Sequence, residues 1–335
     1  MAFQSKVALV KGNDRYANII QALALISSDI DLSDKKGILV KPNFISTTRQ
    51  LAATHVDGVR AVLDWLRSRY DGPITIGEGP AIGDAFAGYC NFGYLDLAEE
   101  YGVQFTDLNR DEWVPVQVYD RKLRPMWVRA ARTTVKSDFR IAVGPPKTHD
   151  TVIVTASLKN MVMGSLIRGG PSIEKFVQLL PNWITNSSLS RRLETPFLRF
   201  ILRNDKSAVH QGYQAINLSL YTLAKTLSPH LSVIDGFVGM EGEGPVDGDP
   251  VELKIAIAST DFLATDAVAV KLMGFDLDKI GYLYYCKLGG LGVGDLEEVQ
   301  IVGNTAIEER IRDFKPHSTY KRQLEWKIPD IGKFL

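Results

Sequence analysis

The amino-acid sequence predicts an α/β fold with mostly parallel sheets and helices on both faces, arranged as two α/β lobes with a helical insertion. Three observations carry this. Short β-branched apolar runs such as Lys6–Val10 and Gly37–Val40 alternate with longer segments whose apolar residues recur at helical spacing. The runs are apolar almost throughout, as strands covered on both faces must be. The chain has 335 residues, which amounts to roughly two domains of about 150.

The elements follow in order. Lys6–Val10 (KVALV) is a strand, Tyr16–Ser27 a helix, and Gly37–Val40 a second strand that stops at Lys41-Pro42-Asn43. A helix over about 57–70, a strand at Ile74–Ile76 and a glycine-rich loop at Gly77–Gly83 come next. Then follow a helix at Tyr94–Tyr101 and a strand beginning at Val103–Phe105. Residues 1–112 form the first lobe. The second lobe, 113–335, opens with alternating apolar and polar residues over Trp113–Thr133, around Asp120-Arg121-Lys122, which reads as a β-hairpin. Phe139–Val143 is a buried strand leading into Pro146-Lys147-Thr148-His149. Residues 171–206, rich in aromatic, Leu and Arg residues, read as the helical insertion, and so as a lid, a homo-oligomer contact, a membrane-surface helix or a helical pair on the body. A helix at Gln214–Leu227, a strand at Leu231–Ile234 and a long loop at Asp235–Pro250 with five glycines follow. Helix Thr260–Met273 and strand Val299–Val302 complete the pattern.

Composition narrows the function classes. Lys+Arg and Asp+Glu are equal at 39 each, so no global positive field gathers nucleic acid, and any charge recognition is local. Two cysteines, Cys90 and Cys286, are too few for a Cys₄ zinc or iron–sulfur site or for a disulfide scaffold. A cytoplasmic protein is expected. No uncharged run approaches the roughly 20 residues of a bilayer span, and the start lacks a signal-peptide pattern, so no transmembrane segment is expected.

Chemistry is expected at polar residues placed just after apolar strands, because ligands in open parallel sheets bind outside the carboxyl ends. The first such loop offers Lys41 and Asn43, followed by Thr54 and His55. The second offers Glu78 and Gly79, with glycines at 77, 79 and 83 that match neither a phosphate loop nor the dinucleotide fingerprint. The third gathers Lys147, His149, Thr155, Ser157, Lys159 and Asn160. Two lysines and several donors suit a carboxylate or phosphate, and a desolvated lysine beside another cation acts as base or nucleophile. His149 reads as a general base, a metal ligand or a solvated loop histidine, the commonest fate of a lone histidine. The fourth loop sets Asp235, Glu241 and Glu243 among glycines, a candidate site for a divalent metal ion that fails the EF-hand spacing. Asp261 is placed to cap the helix that follows it. His210, after Lys206-Ser207-Ala208-Val209, precedes a helix and could enter the same cleft.

These motifs carry a resemblance. The order KPN, Thr-His, Gly-Glu-Gly, PKTH with SLKN, Lys-x-x-x-His and MEGEGP resembles the family catalogued as domain of unknown function 362, from about Lys6 to Gly303. Many members of that family carry ferredoxin-like cysteine clusters; this chain does not, so the resemblance implies no iron–sulfur cluster here. The PKTH–SLKN stretch is also faintly similar to nickel-pincer lactate racemases, which move a proton next to a carboxylate. That similarity would set Lys159 in their cofactor-anchoring region, while their paired catalytic histidines have no clear counterpart.

The expectation is therefore an enzyme, of isomerase, lyase or oxidoreductase class, performing acid/base chemistry on a small anionic ligand, metal-assisted or not. Lys41, His149, Lys159 and His210 are the candidate catalytic residues. Asn43, Thr54, His55, Glu78, Gly79, Lys147, Thr155, Ser157 and Asn160 are the candidate binding residues, and Asp235, Glu241 and Glu243 the candidate metal ligands. The alternative is a non-catalytic cofactor- or metal-binding accessory protein with a redox partner.

Overall fold

A computed structural model describes residues 4–168 and 204–335; the expected insertion at 171–206 lies, but for its last three residues, outside the described residues. Its strands are β1 (Ser5–Lys11), β2 (Ile38–Lys41), β3 (Ile74–Glu78), β4 (Gln104–Asp107), β5 (Trp113–Tyr119), β6 (Pro125–Ala131), β7 (Phe139–Gly144), β8 (Lys147–His149), β9 (Ile153–Thr155), β10 (Leu231–Glu241), β11 (Asp249–Ser259) and β12 (Val299–Gly303). The main sheet has the order β12-β1-β11-β10-β7-β2-β3-β4, with β8 and β9 attached beside β10. Neighbours from β10 to β4 are parallel, as are β12 and β1, while β11 runs antiparallel to both of its neighbours. The alternating pattern at 113–133 does form a hairpin, β5–β6, closed over Asp120–Arg124.

Helices α1 (Arg15–Leu25), α2 (Val56–Arg67), α3 (Ala85–Asn91) and α4 (Leu97–Tyr101) are followed by α5 (Arg132–Lys136), α6 (Ser157–Gly164) and α7 (Asp205–Ala208). Then come α8 (Tyr213–Leu227), α9 (Phe262–Leu272), α10 (Gly281–Leu288) and α11 (Tyr320–Gln323). Strand alternation decides which helices each residue meets. On β1, Val7 and Leu9 join the core with α6, α8, α9 and α10, whereas Ala8 and Val10 join the core with α1, α2 and α3. On β11, Ile255 and Ile257 divide from Ala256 and Ala258 in the same way. The apolar runs of the sequence are thus strands buried on both faces.

The structure corrects two readings. Asp235–Pro250 is mostly strand, since β10 continues to Glu241 and β11 starts at Asp249. Its glycines looked like loop residues, yet Gly236 and Gly239 lie inside β10 where neighbours crowd the space a side chain would take. A Cβ on Gly236 would lie 2.6 Å from Ile255 Cγ1, and one on Gly239 would lie 3.1 Å from the Pro146 carbonyl oxygen. The second correction concerns the polar run from Lys147 to Asn160, read as one loop. It is the short hairpin β8–β9 followed directly by helix α6.

Candidate active site

Because β2, β3 and β7 are parallel, their carboxyl ends open on one edge of the sheet, and α6 packs across that edge. Its N-terminus is fixed by Asp266 of α9, whose carboxylate accepts from the backbone N–H groups of Ser157 (2.8 Å) and Leu158 (3.1 Å) and from Ser157 Oγ (2.5 Å). Burial pushes the Asp266 carboxyl up to about 6 against those hydrogen bonds. Helix α6 then presents Lys159 and Asn160 to the strand ends.

A buried polar network runs through these groups. Lys41 Nζ donates to Glu78 Oε2 at 2.7 Å, Asn160 Oδ1 at 2.9 Å and the Pro42 carbonyl at 3.0 Å. Asn160 Oδ1 also accepts from Asn43 Nδ2 at 3.0 Å. Asn43 Oδ1 in turn accepts from Lys147 Nζ, which donates as well to the Ala52 carbonyl at 3.1 Å. Thr54 holds the strand end beneath: its Oγ1 accepts the Asn43 N–H at 2.8 Å and donates to the Val143 carbonyl at 2.9 Å. Gly164 makes the close packing possible, since a Cβ there would lie 2.1 Å from Lys41 Nζ.

A second chain of contacts borders it. Lys159 Nζ lies 2.8 Å from His149 Nε2, and His149 Nδ1 lies 2.9 Å from Asp150 Oδ1 and 3.0 Å from the Thr151 N–H. These contacts define two linked proton arrangements. With Lys159 charged, Nε2 accepts from it and the imidazole proton sits on Nδ1, facing Asp150. With Lys159 neutral, Nε2–H donates to the amine and Nδ1 accepts from Thr151.

Both chains meet at a cleft of about 230 Å³. Its polar lining is Asn43, Glu78, Gly79, His149, Asp150, Thr155, Lys159, Asn160, Lys206 and His210, and Phe44, Ile45, Ile82, Met163 and Val246 supply apolar wall. Lys206 Nζ donates to the carbonyls of Met163 (2.8 Å) and Gly164 (3.1 Å) at the end of α6. His210 Nδ1 is 2.6 Å from the Lys206 carbonyl, an acceptor only, so Nδ1 carries the proton and Nε2 is left to accept.

The electrostatics are set by burial. Lys41, Lys147, Lys159 and Lys206 are each at most 7% exposed, and Glu78 is the carboxylate buried among them. Desolvation pulls Lys147 down to about 7, helped by the charge on Lys159, and pulls Lys206 to about 7 although Glu78 opposes it. Burial brings Lys159 to about 8. Burial, then the Lys159 charge, takes His149 down to about 3, leaving it neutral at neutral pH. For the Lys41–Glu78 pair, burial pushes the amine down and the carboxyl up, and each charge holds the other back.

The candidate residues therefore separate. Asn43, Glu78, Gly79, His149, Thr155, Lys159, Asn160 and His210 line the cleft; Lys41 and Lys147 lie behind its wall in the buried network. Thr54 and Ser157 hold backbone in place. His55 caps α2, its Nδ1 accepting the Asp57 N–H at 3.2 Å. Asp235, Glu241 and Glu243 do not converge. Asp235 pairs with Arg15 at 3.0 Å, Glu241 accepts the Lys315 N–H at 2.9 Å, and Glu243 accepts from Ser318 Oγ at 3.0 Å and meets His317 Nε2 at 3.0 Å. Among the described residues no group of three or more His, Cys, Asp or Glu side chains is arranged to hold a metal ion. Sequence reasoning passed over Lys206 and Asp150. The signal for Lys206 is its place four residues before His210, one helical turn; Asp150 directly follows His149.

A family model described as a domain of unknown function, DUF362, matches residues 38–271. The chain belongs to this family. The match spans every cleft residue named above, and the resemblance carried by KPN, PKTH, SLKN and MEGEGP stands confirmed. A thylakoid-associated protein of Synechocystis sp. is 23% identical over 249 residues, which cover 71% of this DUF362 chain and 63% of that relative. The chain thus spans less than two thirds of the relative's length. The lactate racemase apoprotein from Thermoanaerobacterium thermosaccharolyticum is a structural neighbour with a TM-score of 0.44 and 13% identity, covering 78% of this chain and 55% of that one. No described helix of this DUF362 protein is long and apolar enough to cross a membrane.

Proposed function

We propose that this DUF362 protein is a small-molecule enzyme that moves a proton on a small anionic substrate bound in the cleft. One observation carries the reading: the Asp150–His149–Lys159 chain ends in a cleft lined by two buried lysines, Lys159 and Lys206, with Lys41 and Lys147 buried behind its wall and Glu78 the carboxylate buried among the four. An anion entering there supplies the missing negative charge, so Lys206 and Lys159 bind it and the desolvated ammonium groups are stabilised. Lys159 then serves as the proton-transfer group, its charge state coupled to the His149 tautomer and steadied by Asp150. His210 Nε2, at the mouth, is a second acceptor.

The test has two arms. Thermal-shift titration with propanoate and inorganic phosphate should stabilise the wild type, and Lys206→Met should weaken that effect at least about tenfold in dissociation constant. Incubation of small carboxylates with the protein in D₂O should show exchange of a carbon-bound proton by NMR. Lys159→Met should lose that exchange by about a hundredfold or more. Binding that persists without exchange for any carboxylate would instead describe an anion-binding accessory protein.

A further inference from the structure

Among the described residues that line the cleft, one buried side-chain polar atom is without a hydrogen-bond partner. Thr155 lines the cleft and is 3% exposed, and its buried Oγ1 has no hydrogen-bond partner among the described residues. A buried hydroxyl left unpaired is costly, and this one belongs to a residue of the cleft wall. It stands four residues before Lys159, whose amine rests 2.8 Å from an imidazole that is itself oriented by a carboxylate. Nucleophile, adjacent base and orienting group in this order form the arrangement that activates a covalent nucleophile, and a second buried ammonium, Lys147, lies near Lys159.

We infer that Lys159 is a nucleophile that captures a small oxo acid as a Schiff base, with the Thr155 hydroxyl serving the substrate's carbonyl oxygen and Lys206 its carboxylate. This inference rests on the anionic-substrate reading above. The step balances without a further reactant. His149 Nε2 takes the proton that leaves Lys159 Nζ, and the freed lone pair forms the C–N bond as the carbonyl π pair moves to oxygen. That oxygen, hydrogen-bonded by Thr155, receives the proton back and gives a carbinolamine. His149 next carries a proton from the nitrogen, still an ammonium, to the hydroxyl group, and the lone pair this frees forms C=N as the C–O bond breaks and water leaves. Ammonium plus carbonyl thus become iminium plus one water. The depressed amine keeps a usable neutral fraction at neutral pH.

The experiment is reductive trapping on the full chain. Protein is incubated at neutral pH with pyruvate, glyoxylate or acetoacetate and sodium cyanoborohydride, then mapped by peptide mass spectrometry. At least one oxo acid should give a single reduced adduct per chain on Lys159, absent in Lys159→Arg, which keeps a cation facing His149. Thr155→Val, matched in shape, should slow trapping by about tenfold or more while raising the melting temperature of the free protein, because it removes an unpaired buried hydroxyl. A purely structural threonine would not give those opposite signs. If pyruvate and propanoate both bind but no adduct forms on Lys159, or if adducts spread equally over exposed lysines, covalent capture falls and anion binding stands. If neither acid binds or reacts, both readings fall together.

Discussion

Lys159 and Lys206 show what burial does to a single residue. Each amine sits far below its ordinary value near 10.5, at about 8 and about 7, chiefly through desolvation. Below those values both carry charge in a site with too little negative charge; above them the free protein sheds the protons. An anion binds best to the charged forms and raises their affinity for protons, so binding at about pH 8 should take up protons from solution. The sign follows: the dissociation constant for propanoate, whose own charge is fixed in this range, should climb steadily from about pH 6 to about pH 9. Calorimetry in two buffers of different ionisation enthalpy reads the proton uptake directly, and release of protons or a flat profile would contradict the assignment. At this scale the sequence was informative where a polar residue directly follows an apolar strand. Lys41 and Glu78 were legible for that reason, and His149 and Lys159 because polar groups crowd the run that comes after Phe139–Val143. His55 was not, because a histidine that caps a helix and one that binds a ligand look alike when written as letters. Lys206 escaped because it is the last residue of the segment read as an insertion, and only the fold brings it to the end of α6.

Among the elements, the stretch after β12 was invisible as a contributor, and it braces the relay. Gln323 of α11 is 1% exposed, and its Nε2 donates to the His149 carbonyl at 2.8 Å and to Thr319 Oγ1 at 2.8 Å. Its Oε1 accepts the Ile153 N–H, and Thr319 Oγ1 donates to the Asp150 carbonyl at 2.7 Å. Ile153 needs such a hold: its φ of +68° is left-handed, an unfavourable conformation for a β-branched residue. The β8–β9 turn that aims His149 is therefore kept in shape from outside the region of the family match, 38–271. Replacing Gln323 by Leu should cost about 1–3 kcal/mol in urea unfolding, since it leaves the buried His149 carbonyl and Ile153 N–H without partners. It should also shift the pH profile of proton exchange, a readout that lost stability alone would not move. Nothing in the letters around Gln323 points to His149, because the contact joins positions 174 residues apart. Strand β11 was hidden for a different reason. Its partner β10 carries glycines at positions where Ile255 and Pro146 press on the backbone, and glycine in a sequence speaks first for turns.

For the whole molecule, the alternation of strand and helix was enough to give the class of fold and both helical layers, since each apolar run had to be covered twice. The order of the strands was not readable, because it depends on which ends meet in space. That order matters here: placing β2 between β7 and β3 sets Lys41 beside Glu78 and brings Asn160 down onto both. The pair joins two neighbouring inner strands, β2 and β3, with both residues at most 1% exposed. An ion pair so buried gains little over apolar residues of similar shape, but removing one member strands the other charge. Glu78→Leu alone should therefore destabilise the protein by about 3–5 kcal/mol, while the double change Lys41→Met with Glu78→Leu should recover much of that loss. Urea unfolding of the four proteins in the cycle gives the coupling. Recovery of stability without recovery of propanoate binding would place the pair in the service of the site, holding Asn43 and Asn160 at the cleft wall. If the double variant proved as unstable as Glu78→Leu, the pair would instead be needed to hold β2 and β3 together, and the cleft would inherit its shape from the sheet.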